Sequence, residues 1–287
     1  EENQRPVPLK HSLYIQGYGL GNISDLKKAK LENTYLDKSS VRKYRPETSV
    51  RGLVNYVVEK DQLPCLYFCF SRKRCEINAQ HYASGDYFIK ANLRKKILAQ
   101  FDQLCRNFKI YSTPNVNDFR RLIRNGVAYH HAGMLPTLKE VVERLFASGL
   151  IQLLFTTETF AVGLNMPTKT VIFPKLTKYS NGNFRNLRTD EYLQMAGRAG
   201  RRGLDKFGVV IILPTDELMN EHPLKRMMTG KSPSISSKFK LNYQFLLKII
   251  NNEEHNIEDF MGKTLFSIDN KNEIQARRSE RQILEGK

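Results

Sequence analysis

From Leu53 onward the apolar positions follow two alternating patterns: short continuous runs and stripes at helical spacing. Val54, Val57 and Val58 make one helical face, and Cys65-Leu-Tyr-Phe-Cys-Phe70 is a continuous apolar run of the kind buried on both faces of a sheet. Ser71 stands where a helix cap belongs, ahead of a helix carrying Ile77, Gln80 and Tyr82. Phe88, Leu93, Ile97, Leu98, Phe101, Leu104 and Cys105 then trace an amphipathic helix, with Arg94, Lys95 and Lys96 on its wet face. Phe119, Leu122 and Ile123 mark a shorter helix, followed by the strand Val127-Ala-Tyr-His130. After Pro136 the positions Leu138, Val141, Val142, Leu145 and Phe146 repeat at helical spacing until Gly149 ends the helix.

The alternation continues with a strand at 151–155, a turn and helix over 156–165, and a strand at 170–173. A polar excursion passes through Ser180 to Asn183, a helix runs from Thr189 to about Ala199, and a final buried strand lies at 208–213. Strands alternating with amphipathic helices predict an α/β fold with a parallel sheet, whose ligands sit at loops leaving the carboxyl ends of the strands. Before this block, residues 1–50 read as a linker with a strand-like stretch from His11 to Ile15 and an edge element within 17–43. Beyond Pro214 helical segments without strands follow at 218–228, 241–250 and 257–266, so the expected division is 1–50, 51–214 and 215–287. No internal repeat is visible.

Composition changes this picture in one respect. The chain carries 46 Lys and Arg against 29 Asp and Glu, a net charge of +17, which favours a polyanionic partner and makes nucleic acid the first expectation. The sequence has no signal-peptide pattern and no apolar run of membrane-spanning length, so the expected setting is intracellular, cytoplasmic or nuclear, with no membrane partner. Cys65, Cys69, Cys75 and Cys105 match no zinc spacing and are expected as buried free thiols; no metal is assigned. Lacking an initiator Met and stopping in a polar, helix-like tail, the chain reads as part of a longer one.

The chemistry concentrates in Glu191-Tyr-Leu-Gln-Met-Ala-Gly-Arg-Ala-Gly-Arg-Arg-Gly-Leu-Asp205. Here Gln194, Arg198, Arg201 and Arg202 alternate with Gly197, Gly200 and Gly203, which suits a phosphate-facing edge. No Gly-x-x-x-x-Gly-Lys-[Ser/Thr] occurs, so the phosphate must be held elsewhere, and arginines donated across an interface stabilise phosphoryl transfer.

Together Tyr129-His-His-Ala-Gly-Met134, Thr156-Thr-Glu-Thr-Phe-Ala-Val-Gly-Leu-Asn-Met-Pro167 and Gln194-Met-Ala-Gly-Arg-Ala-Gly-Arg-Arg-Gly203 resemble superfamily 2 DExH-type RNA helicases, nearest the superkiller and exosome-associated branch. The resemblance covers roughly residues 50 to 270. It implies a second RecA-like lobe followed by a partial winged-helix region, with 270–287 as the start of a stalk. The implied cofactor is ATP, with Mg2+ held by a first RecA-like lobe outside this chain.

The resemblance also implies roles for single residues. Gln194, Arg198 and Arg201 would sense the nucleotide between lobes, with Gly163 and Asn165 on the nucleotide side; Asn165 stands where many relatives carry aspartate. Phe70, Ser71, Arg72, His131, Gly133 and Thr157 would meet RNA. Implied partners are single-stranded RNA, the first lobe and an exosome or superkiller-type complex, with 3′ to 5′ unwinding in RNA decay or processing. The fragment by itself is expected to be inactive. Several plainer readings stand beside these. Thr157 caps a helix, His131 is a satisfied structural histidine, and Arg72, Lys73 and Arg74 are a wet helix start. A DNA helicase of the same superfamily and a non-catalytic nucleic-acid-binding module remain alternatives.

Overall fold

The computed structural model describes residues 5–15, 19–22, 24–25, 28, 46–84, 88–110, 114–161, 166, 168–180, 182–213, 227–228, 242–244, 247 and 262–285. The chain packs as two compact units, residues 1–232 and 233–287.

The first unit is built on a seven-stranded sheet. Its strands are β1 (Leu9–Ile15), β2 (Gly19–Gly21), β3 (Cys65–Phe68), β4 (Val127–His130), β5 (Leu153–Thr156), β6 (Thr170–Phe173) and β9 (Gly208–Ile212), in the order β2-β1-β9-β6-β3-β5-β4. Every pairing is parallel except that of β2 with β1. This is the RecA-like α/β lobe. The apolar runs become strands because both faces are covered: Leu66 and Phe68 join one core, while Cys65 and Tyr67 join the other.

Helices α1 (Pro46–Glu59) and α2 (Arg72–Gln80) cover one face through Leu53, Val54, Val57, Cys75 and Ala79. The other face is covered by α3 (Ala91–Asn107), α4 (Pro114–Arg124), α5 (Pro136–Ala147) and α6 (Thr189–Ala196). The stripe read in α5 is its buried face, Leu138, Val141, Val142, Leu145 and Phe146. Cys65, Cys69, Cys75 and Cys105 are buried free thiols.

Four features differ from the sequence expectation. β1 is an interior strand, paired with β9 over Leu9 to Leu13 and with β2 over Leu13 to Ile15, so that it is β2, and not β1, that stands at this edge of the sheet. The polar excursion is a hairpin, β7 (Thr177–Ser180) with β8 (Asn183–Asn186), turned at Gly182 with φ +87°. α6 stops at Ala196 because the backbone of the following residues turns to Thr168: Thr168 N–H donates to Arg198 C=O, and Gly200 N–H donates to Thr168 C=O. Ser71 occupies the N-cap of α2, yet its side chain makes no capping hydrogen bond.

Of the helices expected beyond Pro214 at 218–228, 241–250 and 257–266, only residues 227–228, 242–244, 247 and 262–266 are described, and the rest lie outside the described residues. In the second unit the described element is α7 (Leu265–Glu285), which exposes Ile268 and Ile274. Among the described residues no helix is long and apolar enough to cross a membrane.

Candidate nucleotide and nucleic-acid faces

The candidate residues fall into two groups, one at each end of the parallel strands. Strands of four to five residues separate these ends by about 15 Å. The arginine loop lies at the amino ends, not at the carboxyl ends where ligand loops were expected. Thr168, two residues before β6, bridges Ala199, and its hydroxyl donates to Pro64 C=O just before β3. Gly208 N–H, at the start of β9, donates to Pro8 C=O just before β1.

Close backbone approach fixes the shape of this loop. A Cβ on Gly208 would stand 2.4 Å from the Ala199 carbonyl carbon, so only glycine fits there. Gly200 has φ +91°, and its Cβ would meet Val7 Cγ1 at 2.6 Å. Arg5 ties the loop from outside by donating Nη2 to Gly197 C=O at 2.7 Å and to Ala199 C=O at 2.6 Å. No motif marked Arg5, because its partners lie more than 190 residues away.

Arg198 is half-buried, and desolvation pulls its pKa below the usual guanidinium value. Arg201 is paired side-on with Asp205: Nε and the backbone N–H reach Oδ2 at 2.9 Å, and Nη2 reaches Oδ1 at 2.9 Å. Gln194 is exposed on α6, one turn before Arg198. A cleft of about 640 Å³ opens beside the loop, bounded by Arg5, Pro64, Met166, Gly200, Arg201 and Leu204. Gly163 and Asn165 lie outside the described residues.

The carboxyl ends bring together Phe70, Ser71 and Arg72 after β3, His131 and Gly133 after β4, and Thr157 after β5. Phe70, Ser71, Arg72 and Thr157 share a cleft of about 220 Å³ with Lys178 and Tyr179 of the hairpin. Thr157 donates its N–H to His130 C=O, and its hydroxyl stands 3.0 Å from that of Thr159.

His131 lies beneath this surface, with only 4% of its side chain exposed. Gly133 N–H donates to its Nδ1 at 3.1 Å, so Nε2 carries the proton and donates to Glu76 Oε1 at 2.9 Å. Its geometry is that of a strut for the 131–134 turn. His130 is buried against Phe160 and joined to Glu143 at 2.7 Å; burial lowers its pKa, and the carboxylate partly offsets this.

Lys178 and Tyr179 were missed in the sequence because the hairpin is short and its apolar pair, Tyr179 and Phe184, is exposed and leaves no buried stripe to announce it. Lys178 bonds Glu158 at 2.6 Å and Glu191 at 2.9 Å. Glu191 also receives both Nη atoms of Arg185 and the Arg188 N–H, which hold its carboxyl well below the usual carboxylate range. One carboxylate thus ties the hairpin to the start of the helix that leads into the arginine loop. Among the described residues, no three His, Cys, Asp or Glu side chains gather as a metal site.

Comparison with known proteins decides the family. Residues 105–203 match the helicase conserved C-terminal domain. The chain is 39% identical over 218 residues to superkiller complex protein 2 of Homo sapiens, covering 75% of this chain and 17% of that protein. It is 37% identical over 222 residues to exosome RNA helicase MTR4 of Mus musculus, covering 76% of this chain and 21% of that protein. An uncharacterized helicase of Schizosaccharomyces pombe is 37% identical over 283 residues, covering 93% of this chain and 27% of that protein.

The chain belongs to the superfamily 2 DExH-type helicases of the superkiller and exosome type. It spans about a quarter or less of the length of these relatives. Within this helicase lobe, the match at 105–203 takes in the 131–134 turn, Thr157 and the arginine loop, and so reaches both ends of the sheet.

Proposed function

We propose that the chain is the second motor lobe of an ATP-dependent RNA helicase, completing an ATP site at one end of its sheet and gripping single-stranded RNA at the other. The observation that carries this reading is the sorting of the arginine loop and the Phe70–Arg72, Gly133 and Thr157 cluster to opposite strand ends. The names of relatives, such as exosome RNA helicase MTR4 and a DExH-box ATP-dependent RNA helicase of Arabidopsis thaliana, support RNA and ATP as the two ligands.

The residues present suit a phosphate. Arg198 is partly desolvated, Arg201 keeps Nη1 outside its ion pair, and the surrounding glycines allow close backbone approach. ATP held with Mg2+ by the first lobe supplies the γ-phosphoryl group and the free energy of its hydrolysis. Arg198 and Arg201 meet that group when the lobes close and neutralise charge that develops on it, with Gln194 beside them. The family resemblance gives Gly163 and Asn165 a part in nucleotide binding as well.

At the carboxyl ends Ser71, Arg72 and Thr157 hold phosphates of the strand, Phe70 borders the cleft, and His131 keeps the Gly133 turn in place. Backbone contacts of this kind carry no base information, so sequence preference is weak. Closing and opening of the lobes moves these grips along the strand, in the 3′ to 5′ direction. The natural setting is RNA decay or processing with an exosome or superkiller-type complex.

In the whole protein, Arg198→Ala should lower the rate of RNA-stimulated ATP hydrolysis about 10³-fold while RNA affinity changes little. Arg72→Ala should instead weaken RNA binding and reduce the salt slope by about one. Equal loss of turnover and RNA affinity in both variants would refute the two-ended reading.

A further inference from the structure

Asp205 is a residue to which no role has been given so far. It lies four positions after Arg201 and has only 6% of its side chain exposed. A buried carboxylate costs several kcal/mol unless it is paired and hydrogen-bonded. Here both oxygens accept from Arg201: Oδ2 from Nε and the backbone N–H, and Oδ1 from Nη2.

The turn that brings the two residues together is specified locally. Leu204 N–H and Asp205 N–H both donate to Arg201 C=O, at 3.1 and 3.0 Å. Gly203 supplies φ +78° with open space at its Cβ position. Pairing holds the Asp205 carboxyl below its usual range, so it stays ionised at neutral pH.

The form of the pairing matters as much as its strength. A guanidinium has donors on three nitrogens in a rigid plane. The side-on pair takes Nε and Nη2, which fixes the plane and leaves Nη1 outside the pair. The arginine is 28% exposed and borders the 640 Å³ cleft, so its orientation is set while one edge remains open to a ligand.

We propose that Asp205 is a positioning residue: it locks the Arg201 guanidinium side-on so that Nη1 is presented to the nucleotide phosphate before the lobes close. This rests on the reading of Arg201 as an interlobe finger. Without Asp205 the side chain must lose rotamer freedom at the moment of reaction, and misplacement of a charge-stabilising donor lowers the rate of the chemical step more than binding.

The test uses the whole protein and compares Arg201→Ala, Asp205→Asn, Arg201→Lys and the double variant Arg201→Ala/Asp205→Asn. Steady-state ATP hydrolysis with saturating single-stranded RNA is measured alongside RNA affinity and Tm. Asp205→Asn keeps one acceptor oxygen but loses the charge and the two-oxygen fork, so kcat should fall at least about 10-fold with KM for ATP and RNA affinity little changed. Arg201→Lys retains charge without the fork and should fall comparably. In the Arg201→Ala background, Asp205→Asn should cost no further turnover, because the guanidinium that it positions is gone and only the contact with the backbone N–H of position 201 remains.

If Arg201→Ala abolishes turnover but Asp205→Asn keeps full kcat, the positioning proposal falls while the finger reading stands. If Asp205→Asn lowers kcat equally with and without Arg201, its role is structural and the proposal also falls. If Arg201→Ala leaves kcat intact, the finger reading fails and takes this proposal with it.

Discussion

Arg72 lies across Gly133: a Cβ on the glycine would stand 3.3 Å from both Cδ and Nη1 of the arginine, and 3.3 Å from His131 Nδ1. The gap is tight but not closed, and the arginine is the flexible partner. Gly133→Ala should therefore leave the fold intact, shift Arg72 by a few tenths of an ångström and weaken single-stranded RNA binding less than Arg72→Ala does. RNA titration at several salt concentrations checks this: Arg72→Ala should lower the salt slope by about one, and Gly133→Ala, which keeps the charge, by less.

Gly208 allows no such adjustment, because its neighbour is backbone. A Cβ there would overlap the Ala199 carbonyl carbon at 2.4 Å and Gly200 N at 2.6 Å. Gly208→Ala must separate the arginine loop from the start of β9, at a cost of about 1–3 kcal/mol. Denaturant unfolding should show this loss, and ATP turnover of the whole protein should fall with it.

Glu191 provides a pH test. Its carboxyl is held far below the ordinary value of 4.5 by the Arg185 bonds, with Arg188 N–H and Lys178 adding to them. A depressed folded-state pKa gives stability that is complete above the unfolded value and is lost as pH falls towards the folded one. Glu191→Gln should thus lower Tm at pH 7, and the difference from the unaltered protein should shrink as the pH drops below about 4.5. Thermal scans from pH 7 down to 3 measure it.

The chain by itself should bind single-stranded RNA weakly and lose about 10-fold in affinity between 50 and 200 mM salt, given a few phosphate contacts. It should hydrolyse no ATP. A coupled ATPase assay on the purified chain, with and without RNA, decides the second point, and measurable turnover would contradict the two-lobe reading.

Periodicity and composition alone defined the α/β class and the cores of the strands at 65–70, 127–130, 170–173 and 208–213. They also defined the buried face of α5 and a basic chain in want of a polyanion. These are local properties: side-chain spacing decides which face is apolar, and an apolar run long enough for one strand must be covered on both sides. The arginine-glycine loop and the missing phosphate-binding loop were equally legible, since each is a continuous string.

The tertiary structure alone decided where those strings lie. β1 joins β9 across nearly 200 positions, so a strand-like stretch within what reads as a linker becomes an interior strand of the sheet. Arg5 clamps Gly197 and Ala199, and Lys178 joins Glu158 to Glu191, through pairings that no spacing rule encodes. Most of all, a helix carries the chain from the carboxyl ends of a parallel sheet back to the amino ends. The arginine loop therefore returns to the amino ends while Ser71, Gly133 and Thr157 stay at the carboxyl ends, and that separation is a property of strand order and direction, not of any one motif.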